Sequence, residues 1–207
     1  MLSAILVWLG VWIVGGVGIG YHEAAIRTAP APFIAGAFAV IILTLWPRPV
    51  LPTVPGRHPH LTRRTTALLI DFIHLDLLTR LCLVGLGLGV ESLVTGQWQW
   101  SWTRDTLQAR DFVAPIGTVA VMAFILFRTV RALRQGRQTA GQYVMGFRVV
   151  PSGTGKPNYA KRIGIGLLGY GLWPLTLLLA LRQRERNEGI YDWDDVSNTR
   201  AVSTRPR

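Results

Sequence analysis

The sequence predicts an all-α polytopic membrane protein. Of its 207 residues, 50% are apolar, and the mean hydropathy is +0.32. The apolar residues are gathered into several runs whose lengths approach or reach what a bilayer requires. The net charge of +11 comes mainly from arginines in the short segments beside these runs, as the positive-inside rule describes. We therefore expect a multi-pass protein of the cell (inner or plasma) membrane that contacts anionic lipid headgroups and binds no nucleic acid.

Two apolar runs precede a proline-rich segment. Residues 3–20 and 33–46 predict two spans, and the prolines and arginines that follow predict an extended cytoplasmic linker. The predicted organisation is an N-terminal two-span hairpin (1–46), a basic linker (47–63), a membrane domain (64–202) and a basic tail (203–207). On the same charge rule, loops 47–66 and 131–162 are expected in the cytoplasm.

The third apolar run, predicted as a helix over residues 67–90, carries four ionisable side chains. They are Asp71, His74, Asp76 and Arg80, and Arg64 lies just before the run. An ionisable group near mid-bilayer costs about 3 kcal/mol, so it normally faces protein, water or an opposite charge. These residues are therefore candidate functional residues.

Helical geometry divides these side chains between two faces. Arg64, Asp71 and His74 fall within about 80° of one another, with His74 as a supporting residue, whereas Asp76 and Arg80 lie on the opposite side. Asp76 and Arg80 are four residues apart with the acid first, which predicts a polar pair within the membrane. Arg64 is about 10 Å from Asp71 along the axis, so another element must complete the Asp71 site. These groups either hold neighbouring helices together or serve in transport or proton relay.

The remaining apolar runs complete about five hydrophobic helical elements, namely four spans and a fifth that is broken or re-entrant. Gly85 and Gly89 have the spacing of a helix-packing pair. A fourth span is expected over residues 112–130, after a tryptophan-rich interfacial segment. Residues 163–181 contain several glycines and a proline and have bases at both ends, which favours a re-entrant hairpin over a plain span.

One short β pairing is expected outside the membrane. Residues 147–150 are rich in β-forming side chains and end at a Pro-Ser-Gly turn. Residues 199–202 are the comparable segment, so we expect these two to pair in the cytoplasm.

The sequence offers little for catalysis. Its one cysteine, Cys82, lies in an apolar run, so neither an intramolecular disulfide nor a cysteine metal cluster is expected. We find no histidine cluster with metal-ligand spacing and no nucleophile with a plausible base. We therefore expect no enzyme activity, no metal and no cofactor.

Three motifs together resemble the RDD family of bacterial membrane proteins. The first is Arg64, Ala67 and Asp71, and the second is Thr139 and Gly141 followed by Gly146-Phe-Arg-Val-Val150. The third is Asp194 followed five residues later by Thr199, with Trp193 where the family usually has histidine and Asn198 where glycine is common. The resemblance covers residues 62–202.

The resemblance implies a compact helical membrane domain whose expected role is transport of a cation or other small solute. It assigns Arg64, Asp71 and Asp194 as candidate functional residues, with Thr139 and Gly141 as supporting ones. Asp192 and Asp195 offer competing registers for the second aspartate.

Two functions are consistent with these residues. The first is a transporter, with proton coupling through Asp71 as one form, in which Arg64 and Asp194 shape the cytoplasmic mouth. The second is an accessory or assembly subunit of a larger cell-envelope complex. Five short elements enclose little room, so we expect a homo-oligomer or a membrane-protein partner.

Overall fold

The structure of the protein, a computed structural model, describes residues 16–19, 24–45, 48–54, 58–106, 108–153, 155–172, 175, 178 and 191–204. These residues are mostly helical and include two small antiparallel sheets, so the predicted helical fold is confirmed. Residues 3–15 of the first predicted span, most of residues 173–181 and residues 205–207 of the predicted tail lie outside the described residues.

The described elements follow the chain in a simple order. The helices are α1 (Pro30–Leu45), α2 (Leu61–Thr95), α3 (Val113–Arg134), α4 (Ala140–Met145), α5 (Tyr159–Gly171) and α6 (Asp192–Val196). The strands are β1 (Gly16–Ile19), β2 (Ala24–Arg27), β3 (Ser101–Arg104), β4 (Phe147–Pro151) and β5 (Thr199–Ser203). A 3₁₀ turn, Ala109–Phe112, leads into α3.

Helix α2 is longer than predicted. It has 35 residues and is about 52 Å long, beginning before and ending after the predicted span 67–90. Its hydroxyl side chains donate to the carbonyl oxygens four residues earlier, which satisfies polar groups inside an apolar helix. These residues are Thr65, Thr79, Ser92 and Thr95.

Among the described residues, one helical stretch is long and apolar enough to cross a bilayer. It is Ala109–Arg134, and Phe33–Ile42 is a shorter apolar stretch. Large apolar side chains on the longer stretch are exposed, with Ile116 68% and Val119 69% accessible. Multi-pass insertion remains a prediction.

The contacts divide the chain into two compact units. Unit 1 comprises residues 1–46 and 73–126, and unit 2 comprises residues 47–72 and 127–207. The division falls inside α2 after Phe72 and inside α3 after Leu126, so each of these helices contributes to both units.

Unit 1 contains a three-stranded sheet that the sequence analysis missed. Strand β2 pairs with both β1 and β3 in antiparallel register, with Val17 opposite Ile26 and Ile26 opposite Trp102. The prediction of a helix over residues 3–20 is therefore wrong at Gly16–Ile19. A strand of four apolar residues inside a long apolar run leaves no periodicity of its own that would distinguish it from the predicted helix.

The core of unit 1 joins α1, α2 and α3. Val40, Leu77, Leu78 and Leu81 are buried together. A Cβ added at Gly85 would lie 3.5 Å from the Phe33 ring, an ordinary contact, and one at Gly89 would meet nothing within 4 Å. Within the described residues, these glycines do not mark the close helix contact that their spacing suggested.

Unit 2 contains the β pairing that the sequence predicted. Strands β4 and β5 are antiparallel, with Val149 opposite Ala201, which confirms the pairing of residues 147–150 with 199–202. Phe147 and Ala201 pack with Ala67 of α2, so this pair of strands covers the start of that helix. Asn198, just before β5, has a φ of 50°, a left-handed conformation that asparagine tolerates better than most residues.

The proline-rich linker is bound to this pair of strands. The Val54 N–H donates to the Ser203 carbonyl oxygen at 2.8 Å, and Arg148 donates to the Leu51 carbonyl oxygen at 3.2 Å. His58 Nδ1 lies 3.0 Å from the Ala201 carbonyl oxygen. The described linker residues therefore belong to the packed structure of unit 2.

Helix α5 covers the start of the segment predicted to be broken or re-entrant. It runs without interruption through Gly164, Gly166 and Gly169 to Gly171, so these glycines do not break it. The choice between a plain span and a re-entrant hairpin depends on residues beyond those described.

Candidate functional site

A buried aspartate, Asp194, lies on the short helix α6. The side-chain oxygen Oδ2 accepts a hydrogen bond from the Tyr191 N–H at 3.4 Å, and the Asp194 N–H donates to the Tyr191 carbonyl oxygen at 2.7 Å. Tyr191 is buried against Leu61 of α2. This turn fixes the carboxylate in the interior of unit 2, where its side chain is 1% exposed.

Two guanidinium groups share the Asp194 carboxylate. Arg64 on α2 contacts Oδ2 at 2.7 Å, and Arg162 on α5 contacts Oδ1 at 2.6 Å. Arg162 also donates to the Thr199 hydroxyl at 2.8 Å. The carboxylate therefore connects α2, α5 and α6, and Arg162 extends the connection to β5.

The electrostatics of this cluster are tightly constrained. Two largely buried cations share one anion, so loss of the carboxylate would remove an ion-pair partner from both guanidinium groups at once. Burial lowers the pKa of Arg162, and the Asp194 charge opposes that shift. The Arg64 guanidinium lies 4.8 Å from the Tyr191 ring centroid, and Trp193 stacks on that ring at 4.5 Å. Trp193, at the usual histidine position, thus takes a packing role.

The second aspartate of the predicted set, Asp71, has different partners. Its Oδ2 accepts from the Thr139 hydroxyl at 2.5 Å, and its Oδ1 accepts from the Gly141 N–H at 2.7 Å. Thr139 is the N-cap of α4 and also accepts from the Gln142 N–H. Asp71 therefore binds the start of α4 through neutral donors.

Position 141 requires glycine for a steric reason. A Cβ added there would collide with the carbonyl oxygen of Ala67 and lie 2.7 Å from its carbonyl carbon. Those are backbone atoms of α2, which cannot rotate away. Only glycine permits α4 to approach α2 closely enough for the Gly141 N–H to reach Asp71.

The cation whose charge acts on Asp71 is Arg48 of the linker. Burial lowers the pKa of Arg48, and the Asp71 charge opposes that shift. The sequence predicts that Arg64, Asp71 and Asp194 form one site. In the structure Arg64 contacts Asp194, whereas Asp71 accepts hydrogen bonds from Thr139 and Gly141. The two sites are separate because Arg64 and Asp71 are two helical turns apart.

The other predicted polar residues of α2 belong to unit 1. Arg80 contacts Asp76 at 2.9 Å, in the predicted pairing. His74 Nε2 lies 2.9 Å from the Thr44 hydroxyl, which itself donates to the Val40 carbonyl oxygen.

Sequence reasoning missed two residues of the site. From the sequence alone, Arg162 is one of the bases that flank an apolar run, although in the structure it makes one of the two contacts to Asp194. No role for Arg63 is predicted from the sequence, yet it donates to the Met145 and Gly146 carbonyl oxygens at the end of α4. A helix end with unsatisfied carbonyl groups was the available signal for Arg63.

The two aspartates differ in what they could do chemically. Asp194 is paired with two fixed cations, whereas Asp71 meets a hydroxyl and an amide. Among the described residues, no group of three His, Cys, Asp or Glu side chains could hold a metal ion. Of the competing aspartates, Asp195 is exposed and Asp194 is buried.

Comparison with known protein families identifies a relationship over most of the chain. The RDD family model matches residues 58–193, a range that includes Arg64, Asp71 and Arg162 and ends immediately before Asp194. Searches of curated proteins and of solved structures found no match. The motifs in α2, α4 and β4 lie within the matched range. The chain belongs to the RDD family, whose members are associated with membranes.

Proposed function

We propose that this protein transports a cation or another small solute across a membrane, and that Asp71 is the carboxylate that binds and releases the coupled ion. The observation that carries this proposal is the contrast between the two aspartates. Asp194 is held by two guanidinium groups, whereas the hydrogen-bond donors to Asp71 are both neutral. A carboxylate bound by neutral donors can change its partner with less electrostatic cost.

The Thr139 hydroxyl suits such an exchange. A hydroxyl both donates and accepts, and its hydrogen rotates freely about the C–O bond. When Asp71 is ionised, Thr139 donates to it. When Asp71 takes a proton or a cation, the same oxygen can accept the proton or join the ligands of the cation. Arg48 supplies a positive charge whose effect on Asp71 favours release of a bound cation.

Membrane placement is part of the proposal. The stretch Ala109–Arg134 would cross the bilayer, and α2 would form the other half of the crossing pair. The basic residues of loops 47–66 and 131–162 support a cytoplasmic location for unit 2. Homo-oligomerisation would supply the room that a solute path needs.

The test is ion-dependent proton flux in proteoliposomes that contain the purified protein alone. Wild type is compared with Asp71→Asn, and Asp195→Asn is the control because Asp195 is an exposed acid in the same unit. We expect flux with wild type and with the control, and none with Asp71→Asn, while all three remain folded and monodisperse. Equal flux through Asp71→Asn would refute the assigned role of Asp71.

The accessory-subunit hypothesis is supported by one observation of its own. Both oxygens of Asp71 already accept hydrogen bonds that join α2 to α4, which is the behaviour of a structural carboxylate. Its test is affinity capture from native membranes with quantification of copurifying membrane proteins. A stoichiometric partner, together with no flux for any of the solutes tried, would favour this function over transport.

A further inference from the structure

The described surface of unit 2 is strongly basic. Seven lysine and arginine side chains are exposed there, and one acidic side chain, Asp195, is exposed among the same residues. The seven are Arg128, Arg131, Arg134, Arg137, Lys156, Lys161 and Arg200. Within the described residues none of the seven forms an ion pair with an acid. This positive charge is therefore available to a partner outside the unit.

Two of the acids among the described residues of unit 2 are used internally. Asp194 binds Arg64 and Arg162, and Asp71 accepts hydrogen bonds from Thr139 and Gly141. Unit 1 differs, since its exposed Arg80 is paired with Asp76 on the same helix. The uncompensated charge is thus a property of unit 2.

Three of the exposed arginines lie at the end of α3. Arg128, Arg131 and Arg134 occupy the last two turns of that helix at a spacing of three residues. The apolar side chain of Phe127, which directly precedes them, is 64% exposed. One helix end therefore passes from exposed apolar side chains to exposed guanidinium groups, the order in which a helix leaves the hydrocarbon and enters the headgroup layer.

We propose that Arg128, Arg131 and Arg134 form a binding surface for the phosphate groups of anionic lipids. Guanidinium groups bind phosphate oxygens through paired N–H donors, which gives them an advantage over lysine for this ligand. Continuity with the exposed apolar surface of α3 favours a lipid over a soluble anion, because the acyl chains have a surface to contact. This inference goes beyond the proposed transport function and does not depend on it.

The experiment uses the full chain reconstituted in phosphatidylcholine bilayers with spin-labelled phosphatidylglycerol or phosphatidylcholine as probes. The ratio of their association constants at the protein measures selectivity for the anionic headgroup. Arg128→Gln/Arg131→Gln/Arg134→Gln is compared with a control that removes equal charge elsewhere in unit 2, Lys156→Gln/Lys161→Gln/Arg200→Gln.

We expect wild type to prefer phosphatidylglycerol and to lose this preference as salt is raised. At low ionic strength, the variant with the three α3 arginines replaced should show a ratio of association constants that is lower by about five-fold for each arginine that contacts the lipid. The control variant should keep most of the wild-type ratio. Equal association of the two lipids with wild type would overturn the proposal. So would equal losses in the two variants, or displacement of the anionic probe by millimolar inorganic phosphate or by RNA.

Discussion

Replacing Gly141 by alanine should separate α4 from α2. The added methyl group would lie 2.7 Å from the Ala67 carbonyl carbon and 2.9 Å from its Cα, so one of the two backbones must move. Overpacking of this kind costs about 1–3 kcal/mol. The movement also weakens the 2.7 Å hydrogen bond from the Gly141 N–H to Asp71, and a hydrogen bond to a charged group is worth about 1.5–3 kcal/mol. Because both costs arise from one displacement, we expect a loss of roughly 2–6 kcal/mol in the free energy of unfolding.

The assay is thermal unfolding of the purified protein in detergent micelles, followed by tryptophan fluorescence. For a chain of this size, about 2–4 °C corresponds to 1 kcal/mol, so a loss of at least about 2 kcal/mol should lower the midpoint of Gly141→Ala by at least about 4 °C. Gly164→Ala in α5 is the control, because its Cβ would meet nothing within 4 Å and alanine favours a helix by up to about 1 kcal/mol. A midpoint for Gly141→Ala within about 4 °C of wild type would refute the predicted displacement, since about 2 kcal/mol is the smallest loss expected from it.

Three further predictions concern unit 2. Asp194→Asn should lower the free energy of unfolding by about 3–5 kcal/mol, because two largely buried guanidinium groups lose their anion. Asp195→Asn on the same helix is the control and should change this free energy little. Equal effects of the two variants in thermal unfolding would contradict the assigned pairing. Thr139→Val should cost about 2–4 kcal/mol, because it removes both the cap of α4 and a hydrogen bond to Asp71, and Thr139→Ser should restore most of that loss. In a background without Cys82, Val150→Cys/Arg200→Cys should form a disulfide that dithiothreitol reverses, since these residues are opposite each other in the sheet; no cross-link under mild oxidation would argue against the register.

The features that the sequence predicted correctly are those with a strong local signal. Residues 147–150 are β-formers followed by a turn, and residues 199–202 are the segment with a comparable β-forming composition that could pair with them. The contact between Asp76 and Arg80 follows from their spacing on a helix. The left-handed conformation of Asn198 agrees with its place at a position where the family commonly has glycine.

What the sequence could not predict depends on contacts between distant segments. Local spacing places Arg64 and Asp71 on one helix face, but it does not indicate that Asp194, 130 residues after Arg64, forms an ion pair with it. Arg162 was uninformative for the same reason, since a base at the end of an apolar run is expected for topology alone. The three-stranded sheet was missed because β1 is part of a continuous apolar run, and β3, which pairs with β2, follows it more than 70 residues later in the chain.

The separation between Arg64 and Asp194 also bears on how the protein is made. Ribosomes add about 5–20 residues per second, so the 130 residues between the two require roughly 7–26 s. For most of that interval α2 is complete and Arg64 has not met its anion. Nascent chains must therefore keep this guanidinium hydrated, or in contact with lipid phosphates or an insertion factor. Translation that stops before Tyr191 should yield chains that membrane quality-control proteases remove, because the buried charge can never be neutralised by Asp194.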